Sequence, residues 1–413
     1  MAKQQPWWGG RFGLVMSLSM LAAMVGLGAL MLTRELPQAT GVNDRQQEAA
    51  APPPSNAGRP GTEPTAEPRT AELMTLTVDP PWLRPSAEAV LTRIAVASCL
   101  HQDHPMPILA DLIAAKPDLL LMLGDNVYGD IRAGDPNELA RAYAKQLGRD
   151  EVVALRRVVP VLATWDDHDY GLNDGGAGWE FQREAAELFR SAFQLPEAQS
   201  PDGGISYSQT VGPEGRRIQL IFLDTRSFRS PLKPKSEAFP HWGKYEPDAD
   251  PAKTLLGEAQ WAWLEAELRK PADLRIIASS IQVLANGHGW ERWGNLPLER
   301  DRLMRVVAET GARGVVFVSG DRHSGAIFDS PQQSEAGDFA IVELTSSSLN
   351  RSYGPSRDER MAPLVSEIFH QENFGIIEVD WDARALTLKL QGIGGDTLAE
   401  YRVTFEALGL TAG

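Results

Sequence analysis

The apolar run VVPVLATW (Val158 to Trp165) is followed at once by Asp166, Asp167, His168 and Asp169, with Asp174 shortly after. Carboxylates packed this closely repel one another, so they need either solvent around them, as in a polar turn, or a cation among them. Three other apolar runs end in the same way. RIAVAS (Arg93 to Ser98) leads into Cys99, then His101 and His104; DLLLML (Asp118 to Leu123) leads into GDNVYGD, with Asp125, Tyr128 and Asp130; GVVFVSG (Gly314 to Gly320) leads into Asp321 and His323. Taken singly, each has an ordinary reading: a Gly-Asp turn, a half-buried tyrosine, a surface histidine, a lone cysteine packed as a small hydrophobe. Those readings do not explain why four separate runs end in possible ligands. Aspartate, histidine, tyrosine and a thiolate form a mixed hard and borderline donor set that suits iron or other first-row ions. Two ions bridged by a carboxylate would relieve the repulsion.

These residues need a scaffold that brings strand ends together. The four runs, with IQLIFLD (Ile218 to Asp224) and LRIIASSIQV (Leu274 to Val283), are short and almost continuously apolar, as strands covered on both faces are. Helical patterns lie between them, at Glu258 to Lys270 and Leu298 to Thr310, and closely spaced strands follow Phe339. Two stacked sheets flanked by helices in one large α/β domain are expected, with ligands gathering at the carboxyl ends of the strands.

Upstream the text changes. No charge interrupts Phe12 to Thr33, long enough for the about 20 residues of a membrane span, and Lys3 and Arg11 precede it. That asymmetry predicts an N-terminal transmembrane anchor over 1–34, or a signal segment, with the remainder outside the cytoplasmic membrane. Residues 35–72 hold Pro52, Pro53 and Pro54 and no aromatic side chain, a composition that reads as a disordered linker; the globular part is expected over 73–413. With 40 Lys and Arg against 55 Asp and Glu, the net charge of −15 argues against nucleic acid as a partner. One cysteine rules out an internal disulfide.

The order Ser-Cys after a strand, GDNVY, WDDHD and GDRH resembles the PhoD-like (alkaline phosphatase D) branch of the calcineurin-like metallophosphatase superfamily. FLDTRSFR (Phe222 to Arg229) and WERWGNLPLERDRL (Trp290 to Leu303) are similar to that family's middle motifs. The resemblance implies a four-layer α/β/β/α sandwich of two mixed sheets and a metal-dependent phosphoester hydrolase, in which a metal-activated hydroxide attacks phosphorus. It implies a dinuclear or trinuclear site, ferric iron plus a divalent ion such as calcium, with zinc or manganese as alternatives. Asp125 would bridge, with Cys99, Tyr128, Asp167, Asp321 and His323 as further ligands; the spacing of Asp125 and Tyr128 also matches purple acid phosphatases. His168 would act in catalysis as transition-state stabiliser or proton donor, and Arg226 is the candidate phosphate clamp, against a structural ion pair. Two departures stand out. The family's WDDHE has a different tail from DYGLNDGG, and Ser279, Ser280 and Gln282 stand where the superfamily supplies another histidine.

The substrate would be a phosphoester, whether small molecule, lipid or wall polymer. The non-catalytic alternative is an envelope-anchored protein that binds a phosphate polymer. A serine hydrolase using Ser98, Ser280 or Ser324 is disfavoured by the absence of a G-x-S-x-G elbow.

Overall fold

The structure, a computed structural model, describes residues 72–333, 338–354, 359 and 363–411. The membrane segment expected over 1–34 and all but the end of the linker lie outside the described residues. Among the described residues no helix is long and apolar enough to cross a membrane.

In chain order the strands are β1 (Arg93–Ala97), β2 (Leu119–Leu123), β3 (Val161–Thr164), β4 (Tyr207–Val211), β5 (Ile218–Phe222), β6 (Lys233–Pro234), β7 (Tyr245–Glu246), β8 (Leu274–Ala278), β9 (Val315–Ser319), β10 (Ala326–Gln332), β11 (Phe339–Thr345), β12 (Asn373–Asp380), β13 (Ala385–Gly392) and β14 (Thr397–Thr404). The helices are α1 (Ile108–Ala114), α2 (Asn137–Leu147), α3 (Asp150–Arg156), α4 (Asp167–Tyr170), α5 (Gln182–Phe193), α6 (Glu258–Leu268) and α7 (Pro297–Glu309). One sheet runs β14-β13-β12-β1-β2-β3 and the other β10-β11-β9-β8-β5-β4, with β6 and β7 forming a small separate hairpin. Both sheets are mixed. β1, β2 and β3 are parallel, as are β5, β8, β9 and β11, while β12, β4 and β10 join antiparallel.

Successive side chains of a strand point to opposite faces, and that alternation sorts one apolar run into two cores. Ile94, Val96, Leu119 and Leu121 pack against Leu220, Ile276, Val318 and Leu344 of the other sheet. Ala95, Ala97, Leu120 and Met122 pack outward with Leu109, Tyr143 and Phe189 of the helices. On the second sheet Ile221, Ile277 and Phe317 likewise face Trp261 and Leu303. Each such leucine or isoleucine, fully buried, contributes about 1.5–3 kcal/mol.

Two details differ from the expectation. The run Leu274 to Val283 stops being strand at Ala278, where the Ser279 hydroxyl donates to the Ile281 carbonyl at 2.7 Å and turns the chain. Strands β4 and β10 lie at sheet edges, and their mixed polar text (YSQTV, AIFDSPQ) lacks the continuous apolar signal of the central strands.

Candidate metal centre

The carboxyl ends of β1, β2, β3, β9 and β11 meet at one rim between the sheets. The Ser98 hydroxyl donates to the Ser346 carbonyl at 2.9 Å, and Thr164 Oγ1 donates to the Leu223 carbonyl at 3.0 Å, tying sheet to sheet. At this rim the backbone is held in a sparsely populated region: φ is 57° at Cys99, 50° at Asp125, 65° at Asp321 and 53° at His323. For an L residue that conformation costs roughly 1–2 kcal/mol, and such strain concentrates at functional sites. The glycines before the two aspartates have a packing reason. A Cβ on Gly124 would lie 2.4 Å from the Asp166 Cβ, and one on Gly320 would lie 2.5 Å from the Ser98 hydroxyl oxygen.

The strained turns aim donors at common points. Ligand atoms of Cys99, Asp125 and His323 lie within 4.8 Å of one another, as do those of Asp125, Asp167 and His168, and those of Asp166, Asp167 and Asp321. Asp125 belongs to the first two groups and Asp167 to the last two. The Tyr128 hydroxyl donates to Asp125 Oδ2 at 3.1 Å and lies 3.4 Å from His323 Nε2; Cys99 Sγ is 3.5 Å from the same Asp125 oxygen. Every one of the six ligands expected from the sequence therefore falls in this cluster. The residues fit cations on their own chemistry. Asp125 Oδ1 and Asp166 Oδ2 are buried with no hydrogen-bond partner among the described residues. Burial and the charges of Cys99 and Asp167 push the Asp125 carboxyl well above its usual range. Burial and Asp166 do the same to Asp321, and burial raises the Cys99 thiol to about 11. A bound cation reverses that penalty.

The five crowded side chains of the opening segment divide five ways. Asp166 is paired with Arg226, whose Nε donates to it at 2.5 Å. Asp167 faces the cluster; burial raises its carboxyl, but His168 and Arg226 outweigh burial and hold it below the usual range. His168 places Nδ1 2.8 Å from Asp130 Oδ1, which leaves Nε2 for the cluster. Burial lowers its pKa, while Asp167 and Asp130 raise it above the ordinary value. Asp169 is an internal brace, accepting from the Asn126 backbone at 3.1 Å and from the Tyr143 hydroxyl at 2.8 Å, with burial raising it to about 7. Asp174 accepts from Lys244 at 2.8 Å and Tyr245 at 2.7 Å, fastening the β6–β7 hairpin to the rim.

Arg226 is placed differently from the other expected residues. It is 0 % exposed, and it also donates to Glu291 at 2.7 Å. Its guanidinium is thus enclosed between two carboxylates, the arrangement of a structural ion pair. His101 and His104 stay outside the ligand groups, stacked in series on the Tyr128 ring at 4.6 Å and 4.3 Å. Ser280 and Thr225 share a hydrogen bond of 2.5 Å, Gln282 meets His288 at 2.9 Å, and Arg322 forks onto Glu359. None of the described hydrogen bonds joins a histidine to Ser98, Ser280 or Ser324. Two contributors were not singled out as site residues from the sequence. Ser347, 3.0 Å from Cys99 Sγ, and Arg351, over the Tyr128 ring, both follow β11, a strand whose polar tail reads as a turn.

Two face-to-face mixed sheets with acids, a thiol and imidazoles on one shared rim define a metallophosphatase fold. Residues 202–390 match the family pattern of the PhoD-like phosphatases. It is 22% identical to alkaline phosphatase D of Bacillus subtilis (strain 168) across 58% of this chain, and spans 47% of that protein's length. A solved structure of PhoD superposes with a TM-score of 0.58 at 18% identity, covering 78% of this chain and 69% of that one.

Proposed function

We propose that the protein is a metal-dependent phosphoester hydrolase, a phosphomonoesterase or phosphodiesterase of the alkaline phosphatase D type. The observation that carries this reading is Asp125: a buried carboxylate with one oxygen unpartnered, common to two groups of convergent donors. Cys99, Asp125, Tyr128 and His323 would hold one cation, for which ferric iron suits the thiolate and phenolate. Asp125, Asp167 and Asp321 would hold a harder divalent ion such as calcium. When bound, such ions supply Lewis acidity toward the phosphoryl group and toward water.

The chain's own residues do the rest. His168 presents Nε2 to the cluster while Asp130 holds Nδ1, so protonated His168 can give its Nε2 proton to the leaving oxygen. Asp167 and Asp130 favour the imidazolium that this role requires. Arg226 fixes Asp166 beside Asp167, and its charge opposes the burial that raises the Asp166 carboxyl to about 7. The His101–Tyr128 stack forms one wall of the cluster.

The test is turnover of 4-nitrophenyl phosphate and bis(4-nitrophenyl) phosphate by purified protein, with elemental analysis before and after chelation. Turnover lost with the metals and restored by re-addition supports the reading. Metal and phosphate bound without turnover of any ester would make the protein a phosphate-binding protein instead. The uncharged run Phe12 to Thr33, with its preceding cations, supports placement of the catalytic domain outside the cytoplasmic membrane.

A further inference from the structure

The cations around the cluster are nearly all engaged by protein carboxylates. Arg226 lies between Asp166 and Glu291, Arg229 reaches Glu291 at 3.1 Å, Arg322 is forked on Glu359 at 3.0 and 3.1 Å, and Lys244 is tied to Asp174 at 2.8 Å. Arg351 differs. Its backbone is fixed on both sides, since its N–H donates to the Ser348 hydroxyl at 2.8 Å and its carbonyl accepts from His323 Nδ1. This anchoring puts the guanidinium carbon 4.4 Å from the centre of the Tyr128 ring and 5.9 Å from that of Tyr353. Among the described residues only Nε has a hydrogen-bond partner, the Tyr353 hydroxyl at 3.3 Å. Among the described residues no carboxylate pairs with Arg351, and neither Nη makes a hydrogen bond. A guanidinium carries five donors, so a half-buried one held in place with its fork free has capacity for an anion.

We infer that Arg351 is the phosphate-binding arginine of this site, its two Nη groups taking non-bridging oxygens of the substrate while Tyr128 and Tyr353 hold the guanidinium plane. The inference rests on the phosphoester reading. A guanidinium fork matches phosphate bidentately where an ammonium does not, and stacking on aromatic faces preorganises it. The ring beneath it belongs to Tyr128, whose hydroxyl touches Asp125 and faces His323. An anion on the fork therefore sits against the residues that would hold the metals. Arg351 takes the role that the sequence suggested for Arg226.

The experiment compares the metal-loaded full chain with Arg351→Lys and Arg351→Met, reading metal content, thermal midpoint, thermal stabilisation by added inorganic phosphate, and KM and kcat for 4-nitrophenyl phosphate. Arg351→Met keeps the packing volume without the charge. It is expected to retain metals and thermal midpoint while weakening phosphate stabilisation and raising KM by about ten- to a hundredfold. Arg351→Lys is expected to lose less. Phosphate affinity unchanged in Arg351→Met overturns the inference, because packing alone would then account for the residue. Metals or thermal midpoint lowered in both variants overturn it as well. If the wild-type chain binds phosphate but hydrolyses no ester, and Arg351→Met weakens that binding, the hydrolase reading fails and the arginine assignment stands. If the wild-type chain binds no phosphate, both fall.

Discussion

Asp125 lies where two groups of donors overlap, so its loss should affect both cations at once. Asp125→Asn is expected to lose metal and activity together, read by elemental analysis on the same sample as the rate. His168 is different in kind. Its ring reaches the cluster through Nε2 while Asp130 holds the other nitrogen, so His168→Ala should keep the metals and slow turnover by ~10²–10⁴-fold. Near-normal turnover would remove it from the reaction. Asp130→Asn tests the same proton from behind. Asp167 and Asp130 raise the His168 pKa against burial, and removing Asp130 lowers it. A proton donor is active while protonated, so the alkaline fall of kcat should move to lower pH in this variant. Tyr128→Phe and Cys99→Ser address the first cation. An iron-loaded protein should be coloured through thiolate and phenolate donors, and either change should alter that band. A colourless, zinc-loaded protein with Cys99 freely alkylated would overturn the ferric assignment.

At the scale of elements, the site is a set of turns that continue strands, and its precision depends on close approach of backbone. Gly124 has φ 106°, and a Cβ there would meet Asp166. Gly124→Ala should therefore displace the β2 and β3 turns from one another, destabilising the fold by roughly 1–3 kcal/mol and lowering metal affinity. Denaturant midpoint and metal content measure the two effects. The ion pair behind the turns makes a stronger demand. Arg226→Met leaves Asp166 buried without its cation, while Glu291 keeps only Arg229, a loss on the order of 3–5 kcal/mol, seen as a lower midpoint even in metal-loaded protein. An exposed phosphate clamp would show the opposite pattern, a raised KM with stability unchanged.

For the whole molecule, the cluster couples metal, proton and folding. Asp125 and Asp321 are raised well above the unfolded carboxylate value in the metal-free fold. That fold holds protons which the unfolded chain releases above about pH 4. The stability that these two protons contribute is fully present in acid and falls as pH rises through the raised values. His323, lowered to about 3 by burial, acts in the other direction only below the unfolded histidine value near 6.5, so the comparison belongs above it. The gap in thermal midpoint between loaded and chelator-stripped protein should widen from about pH 6.5 to about pH 8.5, because metal takes the place of those protons. A constant gap would mean that the carboxylates are already ionised without metal. Location has its own test. Protease added to intact spheroplasts should release an active fragment beginning between Glu35 and Glu72, and protection until lysis would reverse the orientation.

The sequence by itself determined the central strands and the donors that gather at their ends. Both follow from local text: continuous apolar runs mark strands covered on two faces, and a Gly-Asp or Asp-His step after such a run marks a turn that exposes donors. Cys99, Asp125, Tyr128, Asp167, Asp321 and His323 were legible as donors following such runs, and their roles as ligands rest on the family resemblance. Strands β4 and β10 were not, because both are only partly buried and their residues are mixed in polarity. What only the tertiary structure decided was which charges face one another. Asp166 and Asp167 are neighbours in the chain, yet one is turned to Arg226 and Glu291 and the other to the cluster. Arg226 and Arg351 cannot be told apart as arginines in a string. Their surroundings separate only when folding buries one between two carboxylates and leaves the other over the Tyr128 ring with its fork unpaired among the described residues. Pairing among charges depends on distances across sheets, which no local pattern of residues encodes.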